Sequence, residues 1–539
     1  MPSRSLLALA TLVAGAFASA AFAADVPQKL DWGDQGDGTY KNPILKADYS
    51  DPDVIRVGSD YYLIASDFHF VGMQILHSRD LVNWTVLGQV FSKLTMSPIY
   101  DQMNGYAKGT WAPSLRFHNG EFYIYVCTPE GLYMWHTKNP AGPWSDTVTV
   151  RAVANWEDPC PFWDDDGTGY LVHSRQGAGP LILHKLSADN TQLIDEGTPI
   201  YTGPTAEGPK MFKRNGPGGS MYYISLPEGG VDRGSQVVIR SKTIKGPYEK
   251  KTVLEAGAPH QGGIVDTPDG KESWFIGFKS AGWQGRVANL EPVVWGEDGW
   301  PTFGDDGKHV LQHKKPNLHA DKPSLPKLSD DFSGKTLDPI WQWNHNPVNE
   351  NWSLAENALH LKALPATSLT LARNTLTQKL WGDAGTVTVT LSTKNLADGQ
   401  IAGLTFQSGN QFAWMGVQKS GSSTRVAANI PMGRGRVGAF GGGPAQPITP
   451  TFTGPEVTGS IFLRASYEPV PSQNLASATG AGSFSFSLDN KTFTQIPNPA
   501  NLAFQSWKGA RIALFSLGPN PGTADFSNFQ YQVLPAPAP

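Results

Sequence analysis

The stretch Asp51-Pro52-Asp53-Val54-Ile55-Arg56-Val57-Gly58-Ser59-Asp60-Tyr61-Tyr62-Leu63-Ile64 reads as two short strands joined at Gly58-Ser59-Asp60. Gly and Asp supply the backbone a tight hairpin needs, and the flanking β-branched and aromatic residues suit a pleated surface. The same composition returns four times. Phe122-Tyr123-Ile124-Tyr125 follows Asn119-Gly120, and Tyr170-Leu171-Val172 follows Asp166-Gly167. Met221-Tyr222-Tyr223-Ile224 follows Pro217-Gly218-Gly219, and Trp274-Phe275-Ile276 follows Asp269-Gly270. A preceding strand-like segment begins near Asp53, Pro113, Pro159, Pro209 and Gly262. Further on, His77-Ser78-Arg79-Asp80-Leu81 leads to Trp84, Thr137-Lys138-Asn139-Pro140 to Trp144, and Ser241-Lys242 to Tyr248. These read as the outer strand and turn of each unit. Repeats at roughly 50 residues predict an all-β fold that opens with a five-bladed β-propeller. A long β-sandwich is the competing reading, but its hairpins have no reason to keep register.

Composition agrees. The 539 residues include 58 Gly, 42 Pro and 17 Trp, which suits short strands and many turns. The length exceeds one core and fits two domains. A net charge of −4 offers no field for nucleic acid or a polyanion and suits a neutral partner. Arg4, the apolar run Leu6 to Ala20 and Ala21-Phe22-Ala23 read as a cleavable signal peptide over residues 1–23. The expected location is therefore the periplasm or the exterior, with no membrane-spanning segment. Cys127 and Cys160 are either two buried thiols or one bridge.

What opens each repeat carries the chemistry. In order these are Asp51-Pro52, Trp111-Ala112-Pro113, Asp158-Pro159, Glu207-Gly208-Pro209 and His260-Gln261-Gly262. Innermost strands line a propeller's channel, so their first residues converge on one mouth. Asp51, Asp158 and Glu207 would then be three acids in one place, where like charges raise one another's pKa and destabilise the fold. Glycoside hydrolysis uses such a set, with one protonated acid at the leaving oxygen and one carboxylate opposite. A third acid raises and orients the donor. Asp53, two residues from Asp51, reads as a supporting hydrogen-bond partner. The run Asp164-Asp165-Asp166 before Gly167 reads as a solvated turn. Trp111 takes its place at the mouth from its repeat position and offers a face for a sugar ring; Phe70 and Trp283 are further candidates.

With these residues in place the chain resembles glycoside hydrolase family 43. The matching motifs are Tyr49-Ser50-Asp51-Pro52-Asp53-Val54-Ile55, Trp111-Ala112-Pro113-Ser114, Glu157-Asp158-Pro159, Glu207-Gly208-Pro209, Pro259-His260-Gln261-Gly262-Gly263 and Gly285-Arg286 before Glu291-Pro292-Val293. They run in order from Lys41 to Phe303. The resemblance implies Asp51 as general base, Asp158 as pKa modulator and Glu207 as general acid. It also implies inversion, for which the base and acid stand ~6.5–9.5 Å apart. By the same resemblance Arg286 reaches toward Asp158 and the sugar. His260 either holds a channel calcium, largely through water, or braces the tunnel by hydrogen bonding. The implied substrate is a neutral pentose-containing oligosaccharide, cut as by a β-xylosidase or α-L-arabinofuranosidase. An endo-arabinanase and a non-catalytic glycan-binding propeller are the alternatives.

These readings divide the chain into a propeller over 24–311, a linker over 312–328, a second domain over 329–534 and a disordered tail over 535–539. In the second domain, Leu359-His360-Leu361, Thr386-Val387-Thr388-Val389-Thr390 and Phe484-Ser485-Phe486-Ser487-Leu488 alternate between Gly-rich turns, as in a β-sandwich. Asp330-Asp331-Phe332-Ser333-Gly334 and Trp341-Gln342-Trp343-Asn344-His345-Asn346-Pro347 resemble the concanavalin-like domain appended to many family members. Its expected task is packing against the propeller rather than binding glycan.

Overall fold

A computed structural model describes residues 30–319, 325–431 and 448–536. The signal peptide lies outside the described residues, as do 320–324 of the expected linker and 537–539 of the tail. Five sheets, each four antiparallel strands in chain order, form the propeller. Blade one runs Ser50–Val57, Asp60–Ser66, Gln74–Ser78 and Thr85–Gln89. The first strands of the others are Trp111–His118, Trp156–Trp163, Lys210–Gly216 and His260–Asp266. The expected five hairpins are thus the inner strand pairs of five blades. Among the described residues no helix is long and apolar enough to cross a membrane.

The near-continuous apolar strands follow from burial on both faces. In Glu121–Thr128, the side chains of Phe122, Ile124 and Val126 pack toward blade one with Ile55, Ile64 and Ile75. Tyr123, Tyr125 and Cys127 face the other way, against Leu171 of blade three. Successive residues of a strand point to opposite faces, and here both faces are interblade core. Each fully buried Ile or Leu contributes roughly 1.5–3 kcal/mol.

The ring is tied shut by the segment before blade one. Ile44 N donates to Ala288 O at 2.9 Å and Tyr49 N to Arg286 O at 2.8 Å, lacing blade five to the chain entering blade one. Upstream, Thr39–Lys41 pairs with Gly33–Asp34 on one side and Gln312–Lys314 on the other in a three-stranded sheet. The segment expected as a linker over 312–328 therefore starts as a strand. Backbone pairing makes it one; its polar side chains carry no alternation that would have announced it.

The second domain is a sandwich of two large sheets. One contains Gln342–Asn344, Leu376–Lys379, Ile401–Ser408 and Arg511–Leu517. Its edge strand comes from the propeller: Phe70–Val71 pairs with Trp343 and Asn344. The other sheet centres on Ala384–Ser392, flanked by Thr523–Leu534 and Ser460–Pro469. A shared sheet edge and a buried ionic seam hold the domains together. In the seam Lys379 and Arg511 of the sandwich meet Asp67 of the propeller, and Lys508 meets Asp48.

Candidate active site

All five blades open with the same distortion. Asp51, Ala112, Asp158, Gly208 and Gln261 have φ of 51°, 37°, 56°, 55° and 47°. In blades one, two, three and five the register with the second strand shifts at this point. Four of the five are not glycine, and each such residue costs about 1 kcal/mol or more in this region. Repeated strain at one mouth is the mark of a functional constraint. A bulge also suspends alternation, so two consecutive residues of a blade can face the channel.

This register corrects the expected equivalence of the three acids. Asp51 and Asp158 occupy the left-handed position, whereas Glu207 stands one residue earlier. Its counterparts are Ser50, Trp111, Glu157 and His260. Glu157 is thus a fourth acid of the site. Sequence reasoning passed over it beside Asp158, although the echo of Glu157-Asp158-Pro159 with Glu207-Gly208-Pro209 was the signal.

Asp51 is buried and held at both oxygens. Oδ1 accepts from Arg286 Nη1 at 2.7 Å and Oδ2 from Ser66 Oγ at 2.7 Å. Ser66 Oγ in turn accepts from Ala112 N at 2.6 Å. A carboxylate held by a guanidinium and a hydroxyl is fixed in position and aimed, as a general base requires.

The other acids form a cluster. Carboxylate oxygens of Glu157, Asp158 and Glu207 lie within 4.8 Å of one another. Asp158 Oδ2 accepts from Gly208 N at 2.6 Å, and Glu157 accepts from Ala178 N at 2.9 Å and Gly177 N at 3.3 Å. Glu207 Oε1 is 3.0 Å from His260 Nε2. Burial, then Glu157 and Glu207, push the Asp158 carboxyl well above the usual range. Burial, then Glu207 and Asp51, push Glu157 up to about 7 against the pull of its two amides. The cluster therefore retains a proton near neutrality, as a general acid requires, and shares it among coupled groups.

The walls are drawn from both domains. Trp111 stands half-buried at the head of blade two, with Phe68 beside it at 6.3 Å between ring centroids. Phe68 was not foreseen. The sandwich adds Phe504 and Trp507, whose rings lie 5.9 and 5.6 Å from the Arg286 guanidinium. No local pattern announces that contact.

Three expectations are corrected. Phe70 is buried in the shared sheet edge with Arg511 stacked 3.5 Å from its ring, so it packs between domains rather than against sugar. Trp283 is 1 % exposed and wedged against Gly480 and Tyr467 of the sandwich, also an interdomain contact. Arg286 pairs with Asp51, not Asp158. Asp53 does support: it accepts from Leu115 N at 2.9 Å and pairs with Arg116 at 2.6 Å. Asp164 and Asp165 pair with Lys213 at the surface turn. Cys127 and Cys160 are both free and buried.

The residues around His260 do not make a calcium shell. Calcium takes six to eight oxygens, while His260 is buried against Phe278 and gives Nε2 to Glu207. Of the acids beyond Glu207, Glu157 and Asp158 are already engaged by backbone amides and pushed toward their protonated forms.

These features define a carbohydrate-cleaving propeller with an appended sandwich, and comparison with known proteins agrees. Residues 40–301 match the model of glycosyl hydrolases family 43, and residues 329–532 match the β-xylosidase C-terminal concanavalin A-like domain. A putative β-xylosidase of Xylanibacter ruminicola is 48% identical over 72% of this chain and 74% of its own. A β-xylosidase of Formosa agariphila is 35% identical over 91% of this chain and 89% of its own. Among solved structures, a family 43 enzyme engineered for both endo-xylanase and exo-arabinofuranosidase activity superposes with a TM-score of 0.81 at 26% identity, covering 92% of this chain and 99% of that one. The chain belongs to glycoside hydrolase family 43 and is a glycoside hydrolase with a carbohydrate substrate.

Proposed function

We propose that the protein is an inverting exo-glycosidase that releases xylose, arabinose or both from the non-reducing ends of hemicellulose oligosaccharides. One observation carries this reading: Asp51, fixed by Arg286, and a proton-retaining cluster that contains Glu207 open blades of the same propeller, near enough that the Asp51 charge acts on Glu157 and Asp158. Glu207 gives its proton to the glycosidic oxygen as the bond from the anomeric carbon to that oxygen breaks. Asp51 takes a proton from a water whose oxygen forms the new bond from the opposite face. Asp158 and Glu157 keep a proton in the cluster beside Glu207, and His260 orients Glu207. Trp111, Phe68, Phe504 and Trp507 supply apolar faces for a single ring. The sandwich brings Phe504 and Trp507 to within 5.9 and 5.6 Å of the Arg286 guanidinium, a wall on the second-domain side that favours a terminal residue over a mid-chain one. The pentose is supported by the β-xylosidase names of the relatives. The arabinose side is supported by the arabinofuranosidase activity of the superposed enzyme.

The test is release of product from nitrophenyl β-xyloside, nitrophenyl α-arabinofuranoside, xylobiose and debranched arabinan. Hydrolysis of one or both nitrophenyl pentosides, with single sugars as products, is expected. Activity on no pentoside, or internal cleavage of arabinan with no single sugar released, overturns the reading.

A further inference from the structure

The mouth of the channel is framed by a lysine from the other domain. Lys508 follows Trp507 in the sandwich and is 1 % exposed. Its Nζ donates to the Ser66 carbonyl at 2.8 Å and pairs with Asp48 at 2.8 Å. Both partners lead directly to the site. Ser66 Oγ donates to Asp51 Oδ2 at 2.7 Å. Asp48 Oδ1 accepts from Arg286 N at 3.1 Å, and the Arg286 guanidinium holds the other Asp51 oxygen. Asp48 also accepts from Gly509 N at 3.1 Å and Ser50 Oγ at 3.3 Å. One ammonium thus ties together the two chains of contact that fix the two oxygens of Asp51.

We propose that Lys508 is a positioning residue for catalysis, by which the sandwich domain sets the orientation of Asp51 and Arg286 in the propeller. The inference rests on Asp51 acting as the base. It gives the second domain a part in the chemical step beyond packing. The geometry is tight enough to matter: a displacement of about 1 Å in a reacting group can cost on the order of 10²-fold in rate. A lysine is suited to the place because one compact ammonium with three donors reaches both a carbonyl and a carboxylate.

The experiment compares Lys508→Met, the double variant Asp48→Asn/Lys508→Met, and Asp51→Asn in the full chain, measuring kcat, KM and thermal unfolding on a nitrophenyl pentoside. Lys508→Met leaves Asp48 buried without its cation, so it unfolds earlier. Its kcat should fall about 10- to 100-fold, with KM within about threefold. The double variant removes both charges and should regain thermal stability while kcat stays low, because the Ser66 carbonyl still lacks its donor. If Lys508→Met is too unstable to assay, the double variant alone gives the reading. Recovery of kcat together with stability would show a mere counter-ion and overturn the proposal, as would wild-type kcat in either variant. Full activity in Asp51→Asn would instead sink the assignment of the base.

Discussion

Glu157→Gln should move the pH dependence of the enzyme in a defined direction. The substitution keeps the shape and one of the two acceptors that meet Ala178 N and Gly177 N, and removes one negative charge from a cluster whose oxygens lie within 4.8 Å of one another. Two unit charges at that separation repel by about 3 kcal/mol at an effective dielectric of about 20, equivalent to about two pKa units. Like charge favours the protonated form of its neighbours, so removing it lets the cluster lose its proton at lower pH. The basic limb of the kcat/KM profile should therefore shift about one to two pH units toward acid, while the acid limb, set by the base, stays in place. With xylobiose as substrate, whose leaving group needs protonation, rates should match wild type near pH 5 and drop roughly tenfold or more near pH 7. Stability provides a second reading. Glu157 ionises at about 7 in the fold against an ordinary 4.5, so its contribution is complete below 4.5 and lost as pH rises through 7. That loss is on the order of 3 kcal/mol, and Glu157→Gln should escape it, showing a flatter unfolding curve between those values. An unmoved basic limb together with an unchanged stability profile would refute the role given to Glu157.

Trp283→Ala and Trp111→Ala should behave oppositely. Trp283→Ala should destabilise by about 3–5 kcal/mol through loss of interdomain packing, read by denaturant unfolding, whereas Trp111→Ala should raise KM with little change in unfolding. Ser66→Ala removes one of the two groups that aim Asp51 and should lower kcat about tenfold, consistent with loss of a hydrogen bond to a charged group of about 1.5 kcal/mol; steady-state kinetics checks it. Arg286→Lys should fall further than Ser66→Ala in kcat/KM, because an ammonium does not reproduce the planar donor set that reaches Asp51 while lying over Phe278.

Much of this site could be read from residues in a row. The five hairpins follow from aromatic runs behind Gly-containing turns, and the repeat alone brings Asp51, Trp111, Asp158, Glu207 and His260 to one mouth. What escaped depends on geometry that side-chain patterns do not encode. Glu157 faces the site only because a left-handed Asp158 suspends strand alternation. Phe70 and Phe68 differ by one strand repeat, and which one meets Trp111 is decided by a two-residue edge strand that the sandwich captures. Phe504, Trp507 and Lys508 reach the site from more than 400 residues away (442 positions separate Lys508 from Ser66), in a domain whose own pattern speaks only of a sandwich. Arg286 was placed in the right region with the wrong carboxylate, since the choice between Asp51 and Asp158 rests on the Asp48 anchor at its amide.

The central claim is that Asp51 and Glu207 divide the work as base and acid. A series of aryl β-xylosides with leaving groups of decreasing pKa, extended by xylobiose, tests it most directly in Asp51→Asn and Glu207→Gln. The Glu207→Gln deficit, about 10²–10⁴-fold on xylobiose, should shrink steadily as the leaving group needs less protonation. The Asp51→Asn deficit should be of similar size and constant across the series. A deficit in Asp51→Asn that fades with better leaving groups, or one in Glu207→Gln that does not, would contradict the assignment.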